Sequence, residues 1–176
     1  RSTLNFVASG TNNRYNWYIS DKSYEIGKLY KTTVDSQLTL TPSNFDLNGK
    51  YIVPGFIDGH IHLESSIISP FNFSKIAVLH GTTAVITDPH EIVNVCGIDG
   101  LKYMLKKTEN LPVSVYFMVP SCVPATEFDE SAYTLDSDAV LECFKLDDGR
   151  ILGLAEMMNY PGVIYENPEV LRKINE

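Results

Sequence analysis

Short apolar runs alternate with amphipathic stretches along the chain from Lys50 onward. Four apolar runs stand out: "GFIDGHIHL" (55–63), "TTAVIT" (82–87), "VSVYFMV" (113–119) and "ILGLA" (151–155). Runs of this length that are rich in Val and Ile are typical of strands buried in a parallel sheet. The pattern therefore predicts four parallel strands.

Each predicted strand is followed by an amphipathic segment with the end signals of a helix. The first helix has Ser69 as its cap, Pro70 at its first position and Gly81 as its stop. The other three helices are predicted from about Ile98 to Lys107, from near Asp136 to Gly149 and from Asn167 onward. The residues expected on the inward faces are Phe73, Ile76, Ala77 and His80 in the first helix, Val140, Leu141 and Phe144 in the third, and Val170, Leu171 and Ile174 in the fourth. Four alternations of strand and helix indicate βαβ units.

The first 50 residues differ in composition and pattern: they contain many Thr, Ser, Asn and Tyr residues and show no helical periodicity. Strand-like pieces, "RYNWYIS" (14–20) and "KLYKTTV" (28–34), are separated by polar turns. We therefore divide the chain into a β-rich N-terminal segment, residues 1–50, and an α/β region, residues 51–176.

Composition narrows the class of protein. Fourteen basic and 22 acidic residues give a net charge of −8, which argues against a nucleic-acid backbone as partner. No apolar run approaches the roughly 20 residues of a membrane span, and no leader opens the chain, so we expect no membrane partner. Three cysteines at wide spacings suit reduced thiols. A cytoplasmic location is expected.

Candidate ligands follow three of the four predicted strands. His60, His62 and Glu64 come at the end of the first, and because residues two apart in a strand share a face, the two imidazoles converge. Asp88, His90 and Glu91 follow the second strand, and Glu156 follows the fourth. In (β/α)8 barrels the active site is built at these strand ends, so we expect the groups to meet there.

Two imidazoles and a carboxylate form a site suited to Mn, Fe or Zn, and a carboxylate can bridge two ions. Such ions acidify a bound water, which makes hydrolysis the expected chemistry. Structural alternatives exist, since an isolated His-x-His is more often a structural pair and His90 could simply bond a loop backbone. A buried Glu156 would be costly without a partner, which favours a metal role.

Five motifs carry a resemblance to a known family: "GKYIVPGFIDGHIHLESS", "HGTTAVITDPHEIVNVCG", "GLKYML", "FMVPSCVPAT" and "LGLAEMMNYPGV". In this order they resemble the corresponding motifs of the adenine deaminase family within the amidohydrolase superfamily. The resemblance implies a TIM barrel of (β/α)8 type, of which about the first four βα units are present, preceded by part of a small β-sandwich-like domain. The implied reaction is metal-dependent hydrolysis of adenine to hypoxanthine and ammonia, a step of purine salvage.

The resemblance also implies site residues and cofactors. Two divalent metal ions are expected, manganese or iron, with zinc possible; their ligands in this chain are His60, His62 and Glu156. Candidate catalytic residues are Asp88, His90 and Glu91, and candidate substrate-binding residues are Glu64, Ser65 and Ser121. Adenine is the expected small-molecule partner, and the complete enzyme is expected to be a homo-oligomer.

Alternatives stay open at this point. The His-x-His motif alone is shared with cyclic amidases and sugar deacetylases of the superfamily, although "DPHE" and "EMMN" argue against both. A non-catalytic fragment or remnant is another possibility, because the family's later strands supply two more histidine ligands and an aspartate. We therefore expect the isolated 176-residue chain to be incomplete and inactive.

Overall fold

The structure, a computed structural model, describes residues 9–11, 14–19, 28–33, 54–126, 128–146 and 149–175. The chain divides into two compact units. One comprises residues 1–58, 74–84 and 110–114, and the other comprises residues 59–73, 85–109 and 115–176. The candidate ligands named above all belong to the second unit.

The N-terminal part of the first unit contains a three-stranded antiparallel sheet. Its strands, in spatial order, are β1 (Ser9–Thr11), β2 (Arg14–Ile19) and β3 (Lys28–Thr33), and the register between β2 and β3 shifts at Trp17/Tyr18. Strands β2 and β3 coincide with the two strand-like pieces of the sequence. Most of residues 1–50 lies outside the described residues, so the boundary at residue 50 stays a prediction.

A four-stranded parallel sheet follows, with its strands in chain order. It consists of β4 (Phe56–Ile61), β5 (Thr82–Thr87), β6 (Ser114–Val119) and β7 (Ile151–Leu154). Because neighbours in the chain are also neighbours in the sheet, the topology is that of consecutive βα units in a barrel. The predicted α/β class and its four parallel strands are confirmed.

Helices separate the strands. They are α1 (Pro70–Leu79), α2 (His90–Lys107), α3 (Ser137–Phe144), α4 (Tyr160–Ile164) and α5 (Pro168–Asn175), and a 3₁₀ turn covers Glu64–Ser66. Side-chain caps form at three helix starts: Ser69 Oγ accepts from Asn72 N at 3.3 Å, Asp136 Oδ1 from Ala139 N at 2.8 Å and Asn167 Oδ1 from Val170 N at 3.3 Å. None of the helices in the described ranges is both long and apolar enough to cross a membrane.

Three predicted helix faces are wrong in part; in α5 Val170 is buried as expected, but Ile174 is 47% exposed. In α1 the buried residues are Ser74 and Val78, whereas Ile76 is 51% exposed. In α3 the buried residues are Ser137, Val140 and Cys143, and of the predicted set only Val140 is buried. In α1 and α3 the reason is the same: a buried serine contributes no hydrophobic signal, so the apolar pattern marks a neighbouring stripe.

Helix α2 has one part more than predicted: its second part matches the helix expected from about Ile98 to Lys107, and a first part, which the sequence did not signal, begins at His90. Its two parts join at Gly97, which has φ 58° and ψ −148°, a conformation almost restricted to glycine. A Cβ built on Gly97 would lie 2.7 Å from the Tyr133 ring. His90 and Glu91 of "DPHE" therefore lie in the first turn of a helix, directly after Asp88 and Pro89.

We expect Gly97→Ala to lower the free energy of unfolding by about 2–4 kcal/mol, because it adds backbone strain to a clash with Tyr133. The matched control is Gly149→Ala, where φ is also positive but nothing lies within 4 Å of the added Cβ. The free energy of unfolding of that variant should fall by only about 1 kcal/mol, the cost of the backbone strain alone. Denaturant unfolding of both variants measures the difference; equal losses would contradict the packing argument.

The two central strands place alternate residues in the core. Val85 and Thr87 of β5 and Phe117 and Val119 of β6 are all 0% exposed. The intervening Ile86 and Met118 occupy the opposite face of the sheet and are only partly buried. The candidate residues His60, Asp88 and Glu156 lie on the same side of the sheet as Ile86 and Met118.

Candidate metal centre

His60 and His62 lie at the carboxyl end of β4, on one face of the strand. Their Nε2 atoms are 3.2 Å apart, and the ring centroids are 5.0 Å apart with the planes at 75°. Nitrogen ligands bind divalent ions such as Zn²⁺ at about 2.0–2.1 Å, so two ligands of one ion lie about 3 Å apart. The separation of the two Nε2 atoms fits a shared cation.

The tautomer of His62 is fixed by the neighbouring strand. Its Nδ1–H donates to the main-chain oxygen of Asp88 at 2.8 Å, because a carbonyl can only accept. Asp88 N in turn donates to Ile61 O at 3.0 Å, which holds the end of β5 beside the end of β4. His62 Nε2 is left with a lone pair for a metal, in the arrangement that metal-binding histidines typically have.

The charge around His62 also favours a cation. Burial alone would lower the pKa of His62, but the hydrogen bond to the Asp88 carbonyl and the nearby carboxylates of Glu91, Asp88 and Glu64 outweigh it and raise the pKa. The same negative field that stabilises an imidazolium would stabilise a divalent metal ion at this position.

Glu156 follows β7 and completes a three-residue group with the two histidines. Its Oε1 lies 3.6 Å from His60 Nε2, and one possible ligand atom from each of the three residues lies within 4.8 Å of the others. The Glu156 side chain is 50% exposed, so the expectation that it is buried is wrong and burial cost does not argue for its role. Its proximity to His60 now carries that argument.

The group opens onto a small cavity of about 210 Å³. The cavity is lined by Gly59, His60, Ile86, Asp88, Met118, Ala155 and Glu156. The lining therefore combines apolar side chains from β5 and β6 with polar groups from the ends of β4, β5 and β7. Such a mixture is usual where a small molecule is held by shape and oriented by a few polar contacts.

A second possible ligand group consists of His62, His90 and Glu91. Glu91 Oε2 lies 3.9 Å from His62 Nδ1, but that nitrogen already donates its proton to the Asp88 carbonyl. A metal bound by this second group through Nδ1 would have to displace that hydrogen bond. The first group uses Nε2 of His62 and leaves the bond to Asp88 intact, so it is the better cation site.

Asp88 and His90 form a pair beside the metal ligands. Asp88 Oδ2 lies 3.3 Å from His90 Nδ1, and the ring centroid of His90 is 4.7 Å from that of His62. The Asp88 side chain is only 3% exposed, and burial raises the pKa of its carboxyl although His90 partly opposes the rise. Asp88 Oδ1 is buried and has no hydrogen-bond partner among the described residues. This pair can hold and orient a proton.

Glu64 and Ser65 contact the first turn of α2. Glu64 Oε1 accepts from Glu91 N at 3.2 Å and Ile92 N at 3.4 Å, which satisfies free N–H groups at the helix start. Ser65 Oγ donates to Glu91 Oε1 at 2.5 Å. These contacts hold the segment that carries His90 and Glu91. Substrate binding by Glu64 and Ser65 stays a prediction.

The carboxyl groups of Glu64 and Glu91 are shifted in opposite directions. Burial, reinforced by the neighbouring Glu91 carboxylate, raises the pKa of Glu64 to about 7. Burial would also raise the pKa of Glu91, but hydrogen bonds from Ser65 and Glu64 outweigh it and lower that pKa. Glu91 is therefore the more readily ionised of the two, and Glu64 the more readily protonated.

Ser121, the remaining candidate, follows β6 and is 1% exposed. Its hydroxyl donates to the main-chain oxygen of Glu156 at 2.5 Å. Ser121 therefore reaches the backbone of a candidate metal ligand, a contact that the sequence does not signal. Its predicted role in substrate binding is not supported by any exposed surface on the side chain.

Comparison with known proteins places this sequence in a family. Residues 51–176 match the amidohydrolase family. The chain is 52% identical over 132 residues to an adenine deaminase of Clostridium acetobutylicum, 52% over 130 residues to one of Desulfatibacillum aliphaticivorans, and 45% over 129 residues to one of Thermosipho africanus.

These matches cover 73–75% of this chain but only 22–23% of the length of each relative. The family match spans all four strands of the parallel sheet and every candidate ligand described above. Divalent metal binding is what the family implies, in agreement with the donor set at the end of β4. The chain therefore belongs to the amidohydrolase family.

Proposed function

We propose that this chain contributes the first metal ligands of an enzyme that hydrolyses adenine to hypoxanthine and ammonia. The identity of 45–52% to relatives named adenine deaminase carries the proposal, because it extends over 129–132 of the 176 residues of this chain. By full-length enzyme we mean a protein of the length of those relatives that includes this chain. Residues 1–50 would form part of its small β-domain, and residues 51–176 the first half of its barrel.

His60, His62 and Glu156 would hold the metal, and Glu156 would bridge two ions. The mixed nitrogen and oxygen donors suit manganese or iron, and also zinc. Bound divalent ions supply Lewis acidity, which brings the pKa of water near 7 and stabilises negative charge on a substrate. The chain's own contribution is to hold the two Nε2 atoms 3.2 Å apart and to fix the His62 tautomer through Asp88.

Asp88, His90 and Glu91 would move protons during the reaction. With His90 Nδ1 beside Asp88 Oδ2, the opposite nitrogen, Nε2, is the atom that can give a proton to the departing amino group or take one from water. The low exposure of both side chains, 16% for His90 and 3% for Asp88, keeps bulk water from competing for that hydrogen bond. Glu91, held by Ser65, provides a second carboxylate nearby.

We expect His90→Asn in the full-length enzyme to lower kcat by about 10²–10⁴-fold, the usual contribution of a general acid or base. Thermal unfolding should change far less, because asparagine can still bond Asp88 Oδ2. The matched control is His80→Asn at the exposed end of α1, which should change neither quantity. Parallel losses of turnover and melting temperature in His90→Asn would instead favour a role in loop structure.

The direct test is to assay the manganese-loaded full-length enzyme against three substrates: adenine, a cyclic amide and an N-acetylated sugar. We expect equal amounts of hypoxanthine and ammonia from adenine and no comparable turnover of the other two. Preference for the cyclic amide or the acetylated sugar would move the protein to another activity of the same family. Failure on all three with two metals bound would contradict hydrolysis of this class.

Adenine is the only partner that we propose. The net charge of −8 disfavours binding to nucleic acid or to an anionic membrane surface. A cytoplasmic location and a homo-oligomeric state stay predictions; fractionation and light scattering of the full-length enzyme would test them.

A further inference from the structure

Three hydrogen bonds join the segment after β6 to the segment after β7. Ser121 Oγ donates to Glu156 O at 2.5 Å, Cys122 Sγ lies 3.3 Å from Met157 Sδ, and Asn159 N donates to Cys122 Sγ at 3.3 Å. Ser121 is 1% exposed and Cys122 is 4% exposed. Two adjacent buried residues therefore hold the chain at Glu156 and in the three residues that follow it.

Ser121 is itself held through its main-chain oxygen. Lys173 Nζ, on α5, donates to the main-chain oxygen of Ser121 at 3.2 Å and also to that of Leu135. Because the Lys173 ammonium group bonds both carbonyls, it fixes the peptide of Ser121 relative to α5. The Ser121 hydroxyl is therefore presented to Glu156 from a constrained backbone.

Glu156 needs such a constraint. Its side chain is 50% exposed, and its Oε1 lies 3.6 Å from His60 Nε2. A half-exposed glutamate has three side-chain torsions to order before its carboxylate can hold a metal ion, and ordering them costs conformational entropy. Fixing its main-chain oxygen sets the point and direction from which those torsions reach His60.

We propose that Ser121 is a positioning residue for the metal centre: its buried hydroxyl holds the main chain of Glu156 so that the carboxylate meets the cation bound by His60 and His62. Ser121 then acts through Glu156 and does not contact the substrate. This inference rests on the proposed function, because it requires Glu156 to be a metal ligand.

The test compares manganese binding to metal-free full-length enzyme carrying Ser121→Ala, Ser121→Thr or no change. We expect the dissociation constant for Mn²⁺ to rise about tenfold in Ser121→Ala, as befits the loss of one buried hydrogen bond. Ser121→Thr retains the hydroxyl and should bind Mn²⁺ with nearly the unchanged affinity. At saturating Mn²⁺ the kcat of Ser121→Ala should recover most of its value, because the catalytic groups remain.

The matched control is Ser137→Ala, which removes another hydroxyl from a residue 1% exposed, at the start of α3. It should leave the affinity for Mn²⁺ unchanged. The proposal is overturned if Ser121→Ala binds Mn²⁺ normally, if Ser137→Ala weakens binding equally, if Ser121→Thr binds as weakly as Ser121→Ala, or if Ser121→Ala fails to fold.

A fourth variant separates this inference from the proposed function. Glu156→Gln, titrated in the same way, should weaken manganese binding whether or not Ser121 matters. Normal affinity in Glu156→Gln would mean that the metal role of Glu156 has failed. Weak binding in Glu156→Gln with normal binding in Ser121→Ala would mean that only the positioning role has failed.

Discussion

Replacing both His60 and His62 by alanine in the full-length enzyme is expected to remove bound metal and adenine turnover together. The two Nε2 atoms are 3.2 Å apart, so the double variant deletes both nitrogen donors that converge at the end of β4. A hydrolase deprived of its metal loses both the activated water and the electrostatic stabilisation of the transition state, so we expect a fall of more than about 10³-fold. Elemental analysis and ammonia release measure the two losses.

His80→Ala is the control for this double variant, because His80 is an exposed histidine at the end of α1 and outside the ligand group. It should retain full metal content and full activity. Full metal occupancy in the His60→Ala/His62→Ala protein would show that the ion binds elsewhere and would remove the basis of the assignment.

The second large effect is expected for Glu156→Gln. Glutamine preserves the size of the side chain but removes the negative charge that would bridge two cations, so at least one ion should be lost. Turnover should fall by about 10²–10³-fold, comparable to the loss of one strong electrostatic contact to the transition state. Metal content per enzyme and hypoxanthine production should be measured on the same preparation.

A suitable control is Glu166→Gln, since Glu166 is an exposed carboxylate of the same C-terminal region. Removing its charge should change neither metal content nor rate. If Glu156→Gln kept two ions and normal hypoxanthine production, the bridging assignment would have to be abandoned.

The strands and the meeting of the two histidines could be predicted from the sequence. Apolar runs reveal strands buried in a sheet, and a spacing of two residues places His60 and His62 on one face whatever the rest of the fold does. The position of Glu156 at the end of a fourth strand also follows from the rhythm of βα units. These features depend on local pattern, which a single sequence records directly.

Contacts made by the main chain could not be predicted in the same way. The carbonyl of Asp88 orients His62 and the carbonyl of Glu156 accepts from Ser121, yet every residue has such an oxygen. The contact of Glu64 with the start of α2 could not be predicted either, because its partners are main-chain N–H groups 27 and 28 residues further along the chain. The inward faces of α1 and α3 failed for a related reason, since buried Ser74 and Ser137 resemble surface residues.

Asp88 contacts two of the candidate histidines, one through its main chain and the other through its side chain. Its main-chain oxygen holds His62, and its carboxylate holds His90. Mutation can alter only the second contact, because the peptide carbonyl persists under any side chain. Under the proposed function, a substitution at position 88 would therefore change proton transfer at His90 and leave the orientation of His62 in place. The metal ligand and the proton-transfer group would thus be separable by changes at a single residue of this strand end.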